Sequence, residues 1–320
     1  MGLTEILMIA GFLLAAYSII ANDAIQTLGT FLASNSHRPW WVLWIFGGGV
    51  LAFVILFGWI SSGGDPAYGR LEKFPEPAGG ITWIHVVPPL VILMLTRFGI
   101  PVSTTFLVLA IFNPGNIDEM LIKSGAGYLV AFVVAILVYR FVINNVTEYF
   151  EKTKNEPIPF YWVMLQWLST AFLWSMWLIQ DLANIFVYLP RTLSLVEVML
   201  ATAFMVGLIG IVFYQFGGEI QKIVTSKTGT TDIRAATIID FIYAIILLVF
   251  KEWSNMPMST TWVFLGLLAG RQFAITLHMY NPPLNETSRL VLSDAAKAGL
   301  GLIVSLTLAF GLPPLYNALT

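Results

Sequence analysis

The chain has 320 residues, of which 58% are hydrophobic and 11% charged, with a formal net charge of −2 at pH 7 and no cysteine. Soluble domains carry about 25% charged residues, so too little polar surface remains here to cover a water-soluble globule. The near-neutral charge and scattered basic residues exclude a nucleic-acid-binding surface. The absence of cysteine excludes disulfides, thiolate metal sites and cysteine nucleophiles.

Uninterrupted apolar blocks recur along the whole chain, and a helix needs about 20 such residues to cross a bilayer. They predict an all-α polytopic, multi-pass membrane protein. The first block lacks a basic leader, which favours a retained span over a signal peptide. Compact loops without a targeting segment favour a cell (cytoplasmic) membrane, with an organelle membrane as the alternative. The blocks are Leu3 to Ala21, Trp40 to Ile60, Gly125 to Ile143, Trp162 to Gln180, Leu195 to Phe216, Ala235 to Phe250 and Ala298 to Leu312.

Two polar motifs occur twice in the same order, which indicates an internal repeat. Asp181, in Gln180-Asp181-Leu182-Ala183-Asn184, follows Asp23, in Asn22-Asp23-Ala24, by 158 residues. Pro257-Met258-Ser259-Thr260-Thr261 follows Pro101-Val102-Ser103-Thr104-Thr105 by 156 residues. Each copy also places an apolar span, a polar glycine-rich stretch and another span between its two motifs.

Residues 148–159, EYFEKTKNEPIP, concentrate charge and proline and are predicted to link a repeat at 1–147 to a repeat at 160–320. Phe106 to Phe112 and Trp262 to Gly270 are too short to cross a bilayer alone and are interpreted as arms of re-entrant hairpins. Longer loops are expected after them, from Asn113 to Ser124 and from Gln272 to Asp294. Lysine and arginine are too evenly spread to decide between parallel and inverted repeats.

Asp23 and Asp181 are the first candidate site residues, because an aspartate inside an apolar segment costs about 2.5–3.5 kcal/mol and normally faces a cavity, an ion or a partner. Carboxylate and amide oxygens suit a hard cation such as sodium, and an unwound helix would add backbone carbonyls. The alternative is that each aspartate caps a helix or lies in a polar helix interface. The amide neighbours are Asn22 and Gln26 in the first half and Gln180 and Asn184 in the second.

Both Pro-Xaa-Ser-Thr-Thr strings precede an apolar run, as expected of a helix start with a rigid proline and a capping hydroxyl. Free backbone N–H groups and the positive end of the helix dipole attract anions at such a start. Hydroxyls add donors without charge, so two starts could face one oxyanion. Ordinary N-capping at a membrane interface is the alternative. The hydroxyl donors are Ser103, Thr104, Ser259 and Thr260.

The two aspartate motifs, Gly29-Thr30 and both P-x-S-T-T strings make the sequence similar to the inorganic phosphate transporter family of sodium-phosphate symporters. The resemblance spans both halves. It implies two inverted-topology repeats with broken helices and re-entrant hairpins, and symport of phosphate or sulfate with sodium or protons. By resemblance, Asp23 and Asp181 would bind the cation, supported by Asn22, Gln26, Gln180 and Asn184. Ser103, Thr104, Thr105, Ser259, Thr260 and Thr261 would surround the oxyanion and its cations.

The sequence also departs from the family pattern. Phe106 and Trp262 replace the family histidines, and neither can donate a proton. Gln26 replaces an asparagine, Gln180 opens the second signature, and Gly47 follows Ile45-Phe46 where the family carries an acid. Phosphate is therefore the first expectation, with sulfate or bicarbonate as alternatives.

The expected partners are the oxyanion, sodium or a proton, the lipid bilayer and, as an open alternative to a monomer, a second copy in a homodimer. No cofactor beyond the coupling ion and no nucleic acid is expected. A channel built from paired hairpins is the rival interpretation. An enzyme is disfavoured, because no nucleophile set, metal cluster or phosphate loop occurs. The sequence leaves open the roles of Asp240, Arg97 and Arg271.

Overall fold

The computed structural model describes residues 2–97, 102–143, 149–150, 152–153, 156–216, 232–279 and 284–319. Seven helices within this part are long and apolar enough to cross a membrane, and no strand occurs in it. The prediction of an all-α polytopic membrane protein is thus confirmed. The helices are α1 (Leu3–Ser34), α2 (Trp40–Ser61), α3 (Trp83–Arg97), α4 (Thr104–Phe112), α5 (Ile117–Val138), α6 (Phe160–Phe186), α7 (Leu195–Tyr214), α8 (Ile233–Trp253), α9 (Thr260–Met279) and α10 (Leu284–Leu319).

Helix starts coincide with capping residues and prolines in the sequence. Ser194 and Glu197 form a reciprocal capping box at the start of α7. Pro39 and Pro159 stand immediately before α2 and α6, where a proline needs no intrahelical partner for its nitrogen. Local chemistry therefore places the helix boundaries, while burial of apolar faces between helices holds them together.

Helix pairing is duplicated between the two halves, with α1 to α5 corresponding in order to α6 to α10. The corresponding helices α1 and α6 pack together, as do α2 and α7. α5 packs on α9, and its counterpart α10 packs on α4. Reciprocal contacts of this kind are what a two-fold relation between similar units produces. Which way each half faces across the bilayer stays a prediction.

The two expected hairpin arms differ in length. α4 has nine residues, a length of about 13 Å and less than half of the hydrocarbon core. α9 continues past Gly270 to Met279, so the expectation of an equally short second arm is wrong.

The two predicted loops after the arms are also wrong for most of their length. α5 already begins at Ile117, and α9 and α10 lie on either side of residues 280–283, which are outside the described part. The stretches that are helical instead, 117–124, 272–279 and 284–294, carry polar side chains but no proline or glycine, and polarity alone does not end a helix.

The helices that carry the two aspartates are continuous. α1 runs from Leu3 through Asp23 to Ser34, and α6 runs from Phe160 through Asp181 to Phe186. The expected unwinding at the aspartates is therefore wrong. Its physical reason is that both carboxylates accept hydrogen bonds from side chains of other helices, so these helices need not open to provide polar groups.

Two glycines spaced four residues apart allow α9 to approach α5 closely. A Cβ at Gly266 would clash with the backbone carbonyl of Tyr128, and one at Gly270 with that of Phe132. Small residues at this spacing let membrane helices pack backbone to backbone. The α5–α9 contact in turn holds the start of α9 in place.

We expect Gly270→Ala to lower the stability of the protein in detergent by about 1–3 kcal/mol, because the added methyl group overpacks the α5–α9 contact. Gly207→Ala is the matched control, since Gly207 lies inside α7 with no other atom near its missing Cβ. The control should be neutral or stabilising, because alanine favours a helix by about 1 kcal/mol over glycine. Equal thermal unfolding midpoints for the two variants would contradict the packing argument.

Candidate functional site

The two aspartates and both Ser-Thr-Thr turns meet in one buried cluster between α1, α4, α6 and α9. Hydrogen bonds within the cluster join residues that are up to 159 positions apart in the sequence. None of the ten described members is more than 4% exposed: Asp23, Ser103, Thr104, Thr105, Gln180, Asp181, Asn184, Ser259, Thr260 and Thr261.

The Asp181 carboxylate accepts hydrogen bonds from two uncharged groups, and a third hydroxyl lies at the limit of hydrogen-bond distance. Thr260 Oγ1 donates to Oδ2 at 2.7 Å, and Asn184 Nδ2 donates to Oδ1 at 2.7 Å. Thr105 Oγ1 lies 3.5 Å from the same Oδ1. Asn184 is one helical turn from Asp181 on α6, whereas the two threonines come from the starts of α4 and α9. One carboxylate therefore connects both hairpins.

The Asp23 carboxylate is linked to Asp181 through a short chain of hydrogen bonds. Thr104 Oγ1 donates to Asp23 Oδ2 at 2.8 Å. Asn184 Nδ2 lies 3.2 Å from the same Thr104 hydroxyl and 3.2 Å from that of Thr105. A change at one carboxylate therefore passes to the other through Asn184 and Thr104.

The starts of α4 and α9 also touch each other reciprocally. Thr105 Oγ1 donates to the carbonyl of Met258 at 3.1 Å, and Thr261 Oγ1 donates to that of Val102 at 3.4 Å. The rings of Phe106 and Trp262 lie 5.7 Å apart between centroids. An aromatic contact thus stands where the similar family has two histidines, and it closes the space between the two starts with hydrocarbon.

The two serines cap their own helices. Ser103 Oγ accepts from Phe106 N at 3.3 Å, and Ser259 Oγ accepts from Trp262 N at 3.2 Å. The backbone N–H of Ser259 donates to Ser124 Oγ at 2.9 Å. Capping and a binding role are compatible, because each serine hydroxyl keeps its own hydrogen for donation.

Two amide oxygens in the cluster are buried and accept no hydrogen bond from the described residues. They are Oε1 of Gln180 and Oδ1 of Asn184. Gln180 Nε2 donates to the carbonyl of Leu247 at 3.3 Å, and Asn184 Nδ2 makes the contacts described above. Carboxylate and amide oxygens are the donor set that a hard cation such as sodium takes, and the Asn184 amide contacts the Asp181 carboxylate through its nitrogen. The residues of this cluster therefore fit such a cation.

Some predicted residues cannot be located. The side chains of Asn22, Gln26 and Arg97 and the whole of Pro101 lie outside the described residues. Arg271 packs over the ring of Tyr139 at 5.5 Å from its centroid, outside the cluster. The cation-binding roles of Asn22 and Gln26 therefore stay predictions.

A second buried carboxylate site was not predicted as such. Asp240 on α8 is 1% exposed and accepts hydrogen bonds from Thr30 on α1 and Thr170 on α6, both at 2.7 Å. One helical turn beyond Thr30, Ser34 accepts a hydrogen bond from Gln166 on α6. Hydroxyls and amides repeated at helical spacing on α1 and α6 were the sequence signal for this polar interface.

Comparison with known proteins supports the fold. No family model matches the sequence, and no characterised protein matches it. The fold matches a solved structure described as the sodium-dependent phosphate transporter, with a TM-score of 0.62 and 16% sequence identity. The match covers 97% of this chain and 96% of that one. The chain therefore has the fold of that transporter over its full length, as the sequence resemblance predicted.

We expect Thr170→Val to destabilise the protein in detergent by about 1–2 kcal/mol, because it removes one of the two hydroxyls that hold the buried Asp240 carboxylate. Thr202→Val is the matched control, since Thr202 is also buried but donates to Val198 of its own helix. Chemical unfolding followed by tryptophan fluorescence measures both. Equal losses in the two variants would show that the contact with Asp240 has no special role.

Proposed function

We propose that this protein is a secondary active transporter that carries an inorganic oxyanion across a cell membrane together with sodium or protons. The observation that carries the proposal is the continuous buried network from Asp23 through Thr104 and Asn184 to Asp181 and Thr260. The network contains carboxylate and amide oxygens, which suit a cation, and threonine hydroxyls, which suit an anion. The likeness to a sodium-dependent phosphate transporter supports the same function.

The geometry supports a binding order with the cation first. In the structure the hydroxyls of Thr104 and Thr260 donate to carboxylates, so their hydrogens face negative charge. A cation bound by a carboxylate and the orphan amide oxygens would replace these hydrogen bonds. Each threonine hydroxyl could then rotate and donate to an oxyanion. The cation thereby converts the cluster from an acceptor-rich site into a donor-rich one.

Charge compensation couples the two substrates. Opposite unit charges about 4 Å apart attract by roughly 4 kcal/mol at an effective dielectric constant of about 20. An anion alone would face the negative charge of the Asp23 and Asp181 carboxylates. Cations bound by these carboxylates would remove that repulsion and attract the anion, so cation and anion raise each other's affinity.

Phosphate is the proposed substrate, with sulfate and bicarbonate as the alternatives on the same scaffold. Phe106 and Trp262 bring no titratable group between the helix starts. Selection therefore rests on anion size, charge and hydroxyl contacts. The proposal is of a transporter and not of an enzyme.

We expect purified protein in proteoliposomes to accumulate radiolabelled phosphate when sodium is higher outside than inside. Sulfate and bicarbonate are tested as competitors. A parallel series applies a proton gradient in place of the sodium gradient. Uptake that needs neither gradient would contradict coupled transport. Currents far above carrier turnover in a planar bilayer would instead indicate a channel.

Asp181→Asn should abolish cation-driven phosphate uptake while the protein still inserts and folds, because the amide keeps the shape but removes the charge that binds the cation. Asp118→Asn, at the exposed start of α5, is the control and should transport normally. Cation dependence of thermal stability provides a second readout. Full coupled uptake in the Asp181 variant would remove the proposed cation role.

A further inference from the structure

Two basic side chains lie buried beside the segment that leads from α8 into α9. Arg70, in the segment between α2 and α3, is 2% exposed, and Lys123, in the second turn of α5, is 3% exposed. Both belong to the first half of the chain but contact the segment between α8 and α9 in the second half. Neither was singled out from the sequence, because Arg70 lies in a glycine-rich stretch and Lys123 in an expected loop.

The two side chains bind three consecutive backbone carbonyls. Lys123 Nζ donates to Ser254 O at 2.6 Å and to Met256 O at 2.7 Å. Arg70 Nη1 donates to Asn255 O between them, at 3.4 Å. Pro257 follows directly and begins the second Pro-Xaa-Ser-Thr-Thr string. Both cations are therefore fixed next to the start of α9.

Much of this positive charge is unused. Within the described residues, Arg70 donates the one long hydrogen bond above, although a guanidinium carries five N–H groups. Neither Arg70 nor Lys123 forms an ion pair with a described carboxylate. Burying a charge without an ionic partner is costly, so an anion that the described residues do not supply would stabilise both side chains.

Arg70 stays charged at neutral pH. Burial lowers the pKa of its guanidinium to about 10, while the negative charges of Asp181 and Glu252 act in the opposite direction.

Solvent reaches the residues on either side of Arg70 and its hydrogen-bond partner Asn255. A cavity of about 560 Å³ opens there, lined by Tyr68, Gly69, Leu71, Glu72 and Asn255 among others. These residues flank Arg70 in the sequence, and Asn255 is the residue to which Arg70 donates. The cavity therefore lies beside the segments that carry Arg70 and the residue to which it donates.

We propose that Arg70 and Lys123 form an oxyanion-binding site next to the start of α9, through which the substrate passes between the cavity and the Ser-Thr-Thr turns. The site takes a small inorganic oxyanion and favours a doubly charged one. This inference rests on the proposed transport function and adds its charge selectivity. Two buried basic groups, one of them a guanidinium, offset the repulsion by Asp23 and Asp181, which uncharged hydroxyls cannot do. Charge-assisted hydrogen bonds of this type are about twice as strong as neutral ones.

The competing explanation is a structural clamp, in which the two cations only hold the carbonyls of residues 254–256. A clamp would affect stability and turnover equally for every anion. A binding site instead changes the half-saturating concentration, and does so more for a divalent than for a monovalent anion. The two explanations therefore separate in transport kinetics.

The test measures sodium-driven uptake of phosphate, sulfate and bicarbonate by Arg70→Gln, Arg70→Lys and Lys123→Gln. For the Gln variants we expect the half-saturating concentrations of phosphate and sulfate to rise about tenfold or more, with maximal rates within about twofold of the wild type. The half-saturating concentration of bicarbonate should rise less. Arg70→Lys should raise the half-saturating concentrations of phosphate and sulfate less than Arg70→Gln does. Lys73→Gln is the control, because Lys73 is an exposed cation in the same segment, paired with Glu119 at 2.6 Å.

Unchanged half-saturating concentrations in Arg70→Gln, or equal losses for all three anions with lower thermal stability, would overturn the site in favour of the clamp. If Lys123→Gln does not fold, Arg70→Gln decides alone, since it loses only one long hydrogen bond. A wild type that transports the anions while the variants match it leaves the proposed function intact. A wild type that transports none of them overturns the proposed function and this inference together.

Discussion

The carboxylates of Asp23 and Asp181 are fully buried in an otherwise largely apolar bundle, and each accepts a hydrogen bond from a threonine at the start of a helix. Burying such groups is unfavourable unless donors or ions compensate them. The starts of α4 and α9 therefore have to lie at the centre of the molecule. The short α4, the interlocked hairpins and the continuous α1 and α6 are all consistent with this one requirement.

The reciprocal packing of the halves links the starts of α4 and α9 to each other. Thr105 and Thr261 each bind a carbonyl of the opposite hairpin, and α5 and α10 each pack on the hairpin helix of the other half. Under the proposed function, a cation that displaced one threonine from a carboxylate would act on both hairpins at once. Interfaces with two discrete arrangements, rather than gradual deformation, are how such local changes become larger motions.

Polar groups away from this cluster are also held by uncharged hydrogen-bond donors. Asp240 is held by two threonines, and Gln166 joins Ser34 and Asn35 between α6 and α1. Such contacts between uncharged groups contribute about 0.6 kcal/mol on average in a membrane, and those to a carboxylate contribute more. Arg70 and Lys123 differ from these groups, because they are basic side chains that lie beside residues 254–256 without a carboxylate partner among the described residues.

The sequence by itself determined the class of protein and the chemistry of its centre. Long apolar blocks define spans whatever their packing, and Asp23 and Asp181 with the repeated Ser-Thr-Thr strings stand out because polar groups are rare there. Only the tertiary structure decided which group each hydroxyl contacts, that the aspartate helices do not unwind, and that Arg70 and Lys123 lie beside residues 254–256. The decisive contacts join residues 70 to 210 positions apart, and neither composition nor helical periodicity carries information about such distances.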